Sequence, residues 1–261
     1  MLRSFACNLF LALLFLLLTA VLCVGQDATE PDSSKKNPHL HRNLIVGNVI
    51  GGTAAYFYLT DTWGTPTGRF HFKEDTNDNL ALTDEISHMF AGYQLTEAFI
   101  CIFRLLGMDS TRVEKYAMLE AGLVTTLVEF PLDAYNPGQG FGATDFLLNW
   151  MGIGFSWLRR RGLENFDLKF ALKRSPFEFE NKFLSSKNEE FDNFVWWALY
   201  KPKYIWLGVG YGTNHDHNLV ESEYYLGVGT TLNDLLYLLS PATAKRLKAL
   251  DTFFINLHIR L

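Results

Sequence analysis

Cysteine is scarce in this chain: Cys7, Cys23 and Cys101 are the only three in 261 residues. Two of them lie in the first 25 positions, so loss of that segment would leave Cys101 alone and unable to form an intramolecular disulfide. Positive charge is also in deficit, with 23 Lys and Arg against 28 Asp and Glu. Removal of Arg3 with the leader makes the balance one unit more negative, which argues against a nucleic-acid partner. No G-x-S-x-G, Walker loop, dinucleotide fingerprint or H-E-x-x-H is present, nor the paired E-x-x-H elements of di-iron bundles.

Long apolar runs are few. One stands at the start, from Leu9 to Leu18, behind Arg3 and ahead of small residues near Gly25. This reads as a secretory signal peptide over 1–25, with a retained anchor as the alternative. Leu22 occupies the position before Cys23 where a lipoprotein signal needs a small residue. Residues 26–42, polar and with two prolines, read as a linker.

The rest of the chain changes character once. From 43 to 162 it is apolar and helical in period. NLIVGNVIGGTAAYFYL carries no charge, and three further helices are expected at 83–107, 111–132 and 143–161, separated by Gly107 and by PLDAYNPGQGFG. Beyond Gly162 the period becomes two. Leu168/Phe170/Leu172, Ile205/Leu207/Val209/Tyr211, Tyr224/Leu226/Val228/Leu232 with Thr230 interrupting, and Phe253/Ile255/Leu257/Ile259/Leu261 form aliphatic rows on one sheet face. Gly208, Gly210, Gly227 and Gly229 fall on the other face and admit a close neighbour. The fold class is therefore α+β: an apolar bundle of about four helices, then an antiparallel sheet of four or five strands over 163–261. A transmembrane barrel needs about eight strands, so the aliphatic face is expected against the helices or against lipid. A short amphipathic helix is expected after Asp234, interrupted at Pro241.

The helical segments are long enough to span a bilayer. Simple threading would nevertheless put Lys35, Lys36, Arg42 and Arg159 to Arg161 on the outer side, against the positive-inside bias. A compact bundle at an envelope membrane, partly inserted, fits better.

Into these apolar helices the sequence sets three polar pairs at helical spacing. Asp84 and His88, Glu129 and Asp133, and Asp145 and Asn149 are each four apart and share a face. Bringing the three stripes together avoids unpaired buried charge, so one constellation is expected. It has three readings: a hydrogen-bonded network that fixes helix register; a site with His88 as general acid or base beside Asp84, Glu129 and Asp145; or a divalent-metal site drawn from His88, Glu129, Asp133 and Asp145. Trp63, Arg69, His71 and Asp75 lie in the loop before it and read as a packed loop or a lid. His215 and His217 in NHDHN read as a solvated turn rather than a metal pair.

The stretches FHFKEDTNDNLALTDEISHMFAGYQLTE and VEFPLDAYNPGQGFGATDFLLNWMG resemble the YfiM-like family of uncharacterised bacterial envelope lipoproteins. The first resembles that family's D-K-x-G-H-x-x-x-x-Y, which ends here at Tyr93; the second its E-x-x-D and G-F-S-x-x-D-x-x-x-N-x-x-G. The order of these residues is more loosely similar to VanZ-like membrane proteins. Against the YfiM-like pattern, Glu85 stands where Lys is usual, Ser87 where Gly is, and Ala143 and Thr144 follow a Gly where Ser is usual. The resemblance implies a periplasmic, membrane-associated protein with Tyr93 in the polar network, and it supplies no reaction. The expected partners are membrane lipid and an envelope protein or a second copy of the chain. A structural or interaction role is the leading expectation, with a membrane enzyme acting on a lipid head group as the alternative.

Overall fold

The computed structural model describes residues 39–73, 81–173, 188–202, 205–216, 219–241, 244 and 254–261. The leader, most of the linker, Asp75 and His217 lie outside the described residues. Cys101 is disulfide-bonded, so the expectation of a lone cysteine does not hold for the full chain; its possible partners, Cys7 and Cys23, lie outside the described residues.

Helix α1, Leu40–Trp63, stops at Gly64, whose φ of 106° an L side chain rarely adopts. It begins inside the stretch read as linker, and rests by Leu40 and Leu44 on a cluster of Ile100, Phe103, Met108, Val113 and Ala117. Helix α2, Thr83–Leu105, carries Asp84 and Glu85 in its first turn and Arg104 in its last, each sign matched to the helix dipole. Helix α3, Ser110–Leu127, runs into a wide turn, Val128–Asp133, where Phe130 is extended and Pro131 interrupts the ladder. Helix α4, Ala143–Arg159, follows Gly142.

These helices meet through small and polar residues. Gly92 of α2 and Gly152 of α4 lie at the crossing: a Cβ on Gly92 would fall 2.1 Å from Asn149 O, and one on Gly152 1.9 Å from Met89 O. On α3 the buried positions include Val113, Ala117, Ala121 and Thr125, while Tyr116, Leu119, Leu123 and Leu127 are exposed. On α4 the buried residues are Asp145, Asn149, Gly152, Ile153 and Ser156, and Leu147, Trp150, Met151, Trp157 and Leu158 are exposed. On α4 the inward face is thus largely polar and the outward face largely apolar, the reverse of a water-facing helix. Among the described residues no helix is long and apolar enough to cross a membrane.

The second half is a five-stranded antiparallel meander in the order β1-β2-β3-β4-β5. Its strands are β1 Phe166–Leu172, β2 Phe194–Tyr200, β3 Trp206–Asp216, β4 Leu219–Thr231 and β5 Phe254–Arg260. Helix α5, Leu232–Leu239, sits between β4 and β5, its first turn capped by Thr231 accepting from Asp234 N. The architecture is α+β with a C-terminal sheet. Strand β2, FVWWALY, has no alternation to read because it is an unbroken apolar run.

The sheet's two faces divide as the alternation implies, with an unexpected outcome. The glycine face encloses the core: Val195, Trp197, Leu199, Trp206, Tyr225 and Phe254 are buried together. Trp197 fills the room that the glycines leave, its ring atoms 2.9 Å from an added Cβ at Gly208 and 2.6 Å from one at Gly227. Strands β1 and β5 approach each other, curling this face inward. Among the described residues the aliphatic face packs on the helices over β1 and β2, where Leu168 and Trp196 meet Phe90 and Tyr93. Over β3 to β5 it is exposed, with Val209 at 58%, Val228 at 42% and Leu257 at 81%.

A buried charged joint welds the halves. Tyr93 donates to Asp167 Oδ1 at 2.5 Å, Arg159 Nη1 donates to the Tyr93 hydroxyl at 2.8 Å, and Arg159 Nε donates to Phe166 O at 2.8 Å. Asp167 Oδ2 lies 2.9 Å from both Arg159 Nη2 and Lys169 Nζ. It makes no hydrogen bond of good angle, so these two contacts are charge pairs.

Candidate functional site

The glycine crossing sets the geometry of the expected constellation. His88 stands one turn before Gly92 and Asn149 three residues before Gly152, so backbone contact between α2 and α4 presses the two side chains together. Asn149 Nδ2 lies 3.0 Å from His88 Nδ1 and 3.4 Å from Glu129 Oε1, and His88 Nδ1 is 3.4 Å from Glu129 Oε1. On the other edge of the ring, Nε2 is 3.6 Å from Asp84 Oδ1 and 3.7 Å from Asp145 Oδ2. The three polar pairs do converge, from α2, from the wide turn after α3 and from the start of α4.

At the centre is a residue that the sequence reading passed over. Lys73 Nζ pairs with Asp84 and, at 3.1 Å, with Asp145. Its position is fixed by the backbone of the preceding loop, which is laced to the loop after Asp133: Gly68 N donates to Tyr135 O, His71 N to Ala134 O and Lys73 N to Phe141 O. The available signal was charge: Lys73 is the one basic residue in FKEDTNDN, placed beside a cluster rich in carboxylates.

The other expected residues fall elsewhere. Tyr93, carried into the network by resemblance, is hydrogen-bonded to Asp167 and Arg159 at the joint between the halves. The physical reason is helical phase: five residues on from His88, it leaves the cluster's face of α2 and meets β1 at Asp167 and the later part of α4 at Phe155 and Arg159. His71 is partly buried and takes Arg69 O as its partner at 3.1 Å. His215 belongs to β3, not to a solvated turn, with Nδ1 2.7 Å from Asp192 Oδ1. Asp192 also accepts from Thr213 Oγ1 and from His215 N. The side chain of Trp63 lies outside the described residues.

Charge in the cluster is mutually dependent. Burial by itself would lower the pKa of His88, but Asp84, Asp145 and Glu129 outweigh it and raise it to about 9. The same balance of burial against Asp84 and Asp145 raises Lys73 further. Asp84 is held at about 2, its desolvation overcome by His88 and Lys73. Burial raises Glu129 to about 8, partly opposed by His88, and raises Asp133 to about 6. Near neutral pH two cations, Lys73 and His88, therefore face Asp84 and Asp145, with the Glu129 carboxyl largely protonated beside them.

Asp84, His88 and Asp145 offer ligand atoms all within 4.8 Å of one another, a spacing that could hold a metal ion. Glu129 and Asp133 are not part of that group. A metal there would have to displace Lys73 from both carboxylates and take the place of the His88 proton.

The pKa pattern fixes a sign for pH dependence. His88 and Glu129 both bind protons more tightly folded than unfolded, so the folded state holds the excess proton and loses stability as pH rises. For Glu129 the window opens near pH 4.5 and closes near 8, and for His88 it runs from about 6.5 to about 9. Thermal midpoints are expected to fall between pH 6.5 and 9, and Glu129→Gln should flatten the part below pH 8. A midpoint that rises through this range would contradict the arrangement.

Compared with protein-family models, curated proteins and solved structures, the chain matches none.

Proposed function

We propose that the protein is a non-enzymatic, membrane-associated structural or interaction protein of the cell envelope, in which the Lys73–Asp84–His88–Glu129–Asp145 network locks α2, the turn after α3 and α4 in register. The observation that carries this reading is that the cluster closes on itself: Lys73 bridges Asp84 and Asp145, and His88 bridges Asp84, Asp145 and Glu129. A chain whose helices meet through glycine and hydrogen-bonding side chains while leucines and tryptophans point outward is built as helices in lipid are, where the hydrophobic effect does not join helices and close packing with polar pairs does. The resemblance to YfiM-like envelope proteins agrees with this setting, with secretion by the leader and a periplasmic location.

One observation favours a second reading, an enzyme acting on a lipid head group. His88 keeps 22% of its side-chain surface, and Phe70, Phe72 and Phe130 stand exposed around the loop that delivers Lys73. In that reading His88 is the acid or base, with Asp84, Glu129 and Asp145 orienting it or, with Lys73 displaced, holding a divalent cation.

Two substitutions separate these readings. His88→Asn keeps a polar side chain, and under the structural reading a deletion strain expressing it recovers its envelope phenotype. His88→Leu strands its carboxylate neighbours and is expected to cost about 1–3 kcal/mol of stability. Under the enzyme reading His88→Asn folds normally and rescues nothing, because an amide cannot cycle a proton near neutral pH.

A further inference from the structure

The exposed part of the sheet is a continuous apolar surface with a definite top and bottom. Register places Leu207 opposite Val228, Val209 opposite Leu226, and these opposite Leu257 and Ile259 of β5. No charged residue interrupts this band on β3, β4 or β5. The charged residues of the same strands lie on the enclosed face instead, where Glu223 pairs with Lys173 and, at 2.7 Å, with Arg260. At one margin Tyr211 and Tyr224 stack edge to face with ring centroids 5.5 Å apart, and Tyr211 donates to Ala81 O at the start of α2. That margin is therefore level with the end of the bundle where Lys73, Asp84 and the exposed phenylalanines lie. Beyond it the strands turn polar, at Asn214, Glu221 and Ser222. From Ile205 to Tyr211 the band is about 20 Å long along the strand at ~3.3 Å per residue.

We propose that the outer face of β3 to β5 is seated in lipid acyl chains, with Tyr211 and Tyr224 at the level of the head groups. This deepens the membrane-associated reading above and rests on it. Helix α5, which follows β4, carries exposed apolar side chains of its own, Leu238 and Leu239. The curvature selects the occupant. A sheet whose enclosed face wraps Trp197 is convex on its outer face, and two such faces would touch along a line, short of the roughly 800 Å² per partner that a stable association buries. Acyl chains adapt to a convex wall. Paired aromatic side chains at the edge of an apolar band are the arrangement expected where protein crosses from hydrocarbon to head groups. The approach of β1 to β5 also reduces the open sheet edge, which lipid would penalise.

The test uses the full-length chain with a photoreactive benzophenone amino acid in place of Val209, Leu226 or Leu257, one at a time, and in place of exposed Glu164 as a control. Each protein is mixed with phosphatidylethanolamine–phosphatidylglycerol vesicles, floated and irradiated, and the adducts are read by mass. Lipid adducts at all three sheet positions, absent at Glu164, are the expected result. Flotation without sheet adducts would overturn this inference while leaving the membrane-associated reading intact. Failure to float would overturn both. Adducts between two copies of the chain at these positions would replace lipid by a self-interface and overturn the proposal.

Discussion

Asp167→Ala is expected to destabilise the protein by about 3–5 kcal/mol, because it removes the buried carboxylate that the buried Lys169 and the partly buried Arg159 both face. Lys169 is only 3% exposed, and its ammonium and that of the Arg159 guanidinium both face Asp167 Oδ2 at 2.9 Å. Tyr93 loses its acceptor in the same step. Because these groups come from α2, α4 and β1, the damage falls on the joint between bundle and sheet. The control is Glu114→Gln, which breaks the more exposed pair with Arg161 and should cost less than about 1 kcal/mol. Denaturant titration of both variants in the same detergent measures the contrast. Equal effects would mean that the joint is solvated and contributes no more than a surface pair.

That joint shows where sequence reasoning stops. Asp167 and Lys169 alternate with Leu168 and Phe170, so the strand itself was legible, and so was the side of the sheet on which they fall. Of their partners, Tyr93 lies 74 residues before Asp167 on another helix, and Arg159, though close in sequence, ends a helix whose return onto the strand no local pattern reveals. The convergence of Asp84, His88, Glu129, Asp133, Asp145 and Asn149 was legible for a different reason: the pairs share helical spacing, and burial of charge demands that they meet. Lys73 was not, because it sits in a loop without periodicity and is delivered by backbone hydrogen bonds to residues 134–141.

The aliphatic rows make a related point. Alternation told which residues share a face but not which face is enclosed. An aliphatic face is ordinarily the buried one, and here Trp197 reverses that order over β3 to β5. The glycines opposite it were the available signal, since four of them in two strands make room for something large, and the adjacent Trp196 and Trp197 of β2 were the largest side chains at hand. Reversal in the sheet and reversal on α4 have one common cause in the proposed setting, a surface whose surroundings are apolar.

Two glycines on α4, two residues apart, should respond in opposite directions to the same change. At Gly152 an added methyl would lie 1.9 Å from Met89 O and 2.8 Å from Tyr93 N. These are backbone atoms that can yield only if α2 and α4 separate. At Gly154 nothing lies within 4 Å, and the position is well inside the helix. Gly154→Ala should therefore stabilise the helix by roughly 0.4–1 kcal/mol, through the conformational freedom that glycine loses on folding. Gly152→Ala should destabilise by about 1–3 kcal/mol or more, the range for forced overpacking. The separation would also draw Asn149 and Asp145 away from His88, so Gly152→Ala should weaken the fall in midpoint between pH 6.5 and 9, whereas Gly154→Ala leaves that slope unchanged. Melting curves of the two variants across that range read both effects. If Gly152→Ala melts like the parent chain with an unaltered pH slope, the helices do not meet at that glycine and the cluster has lost the contact that positions it.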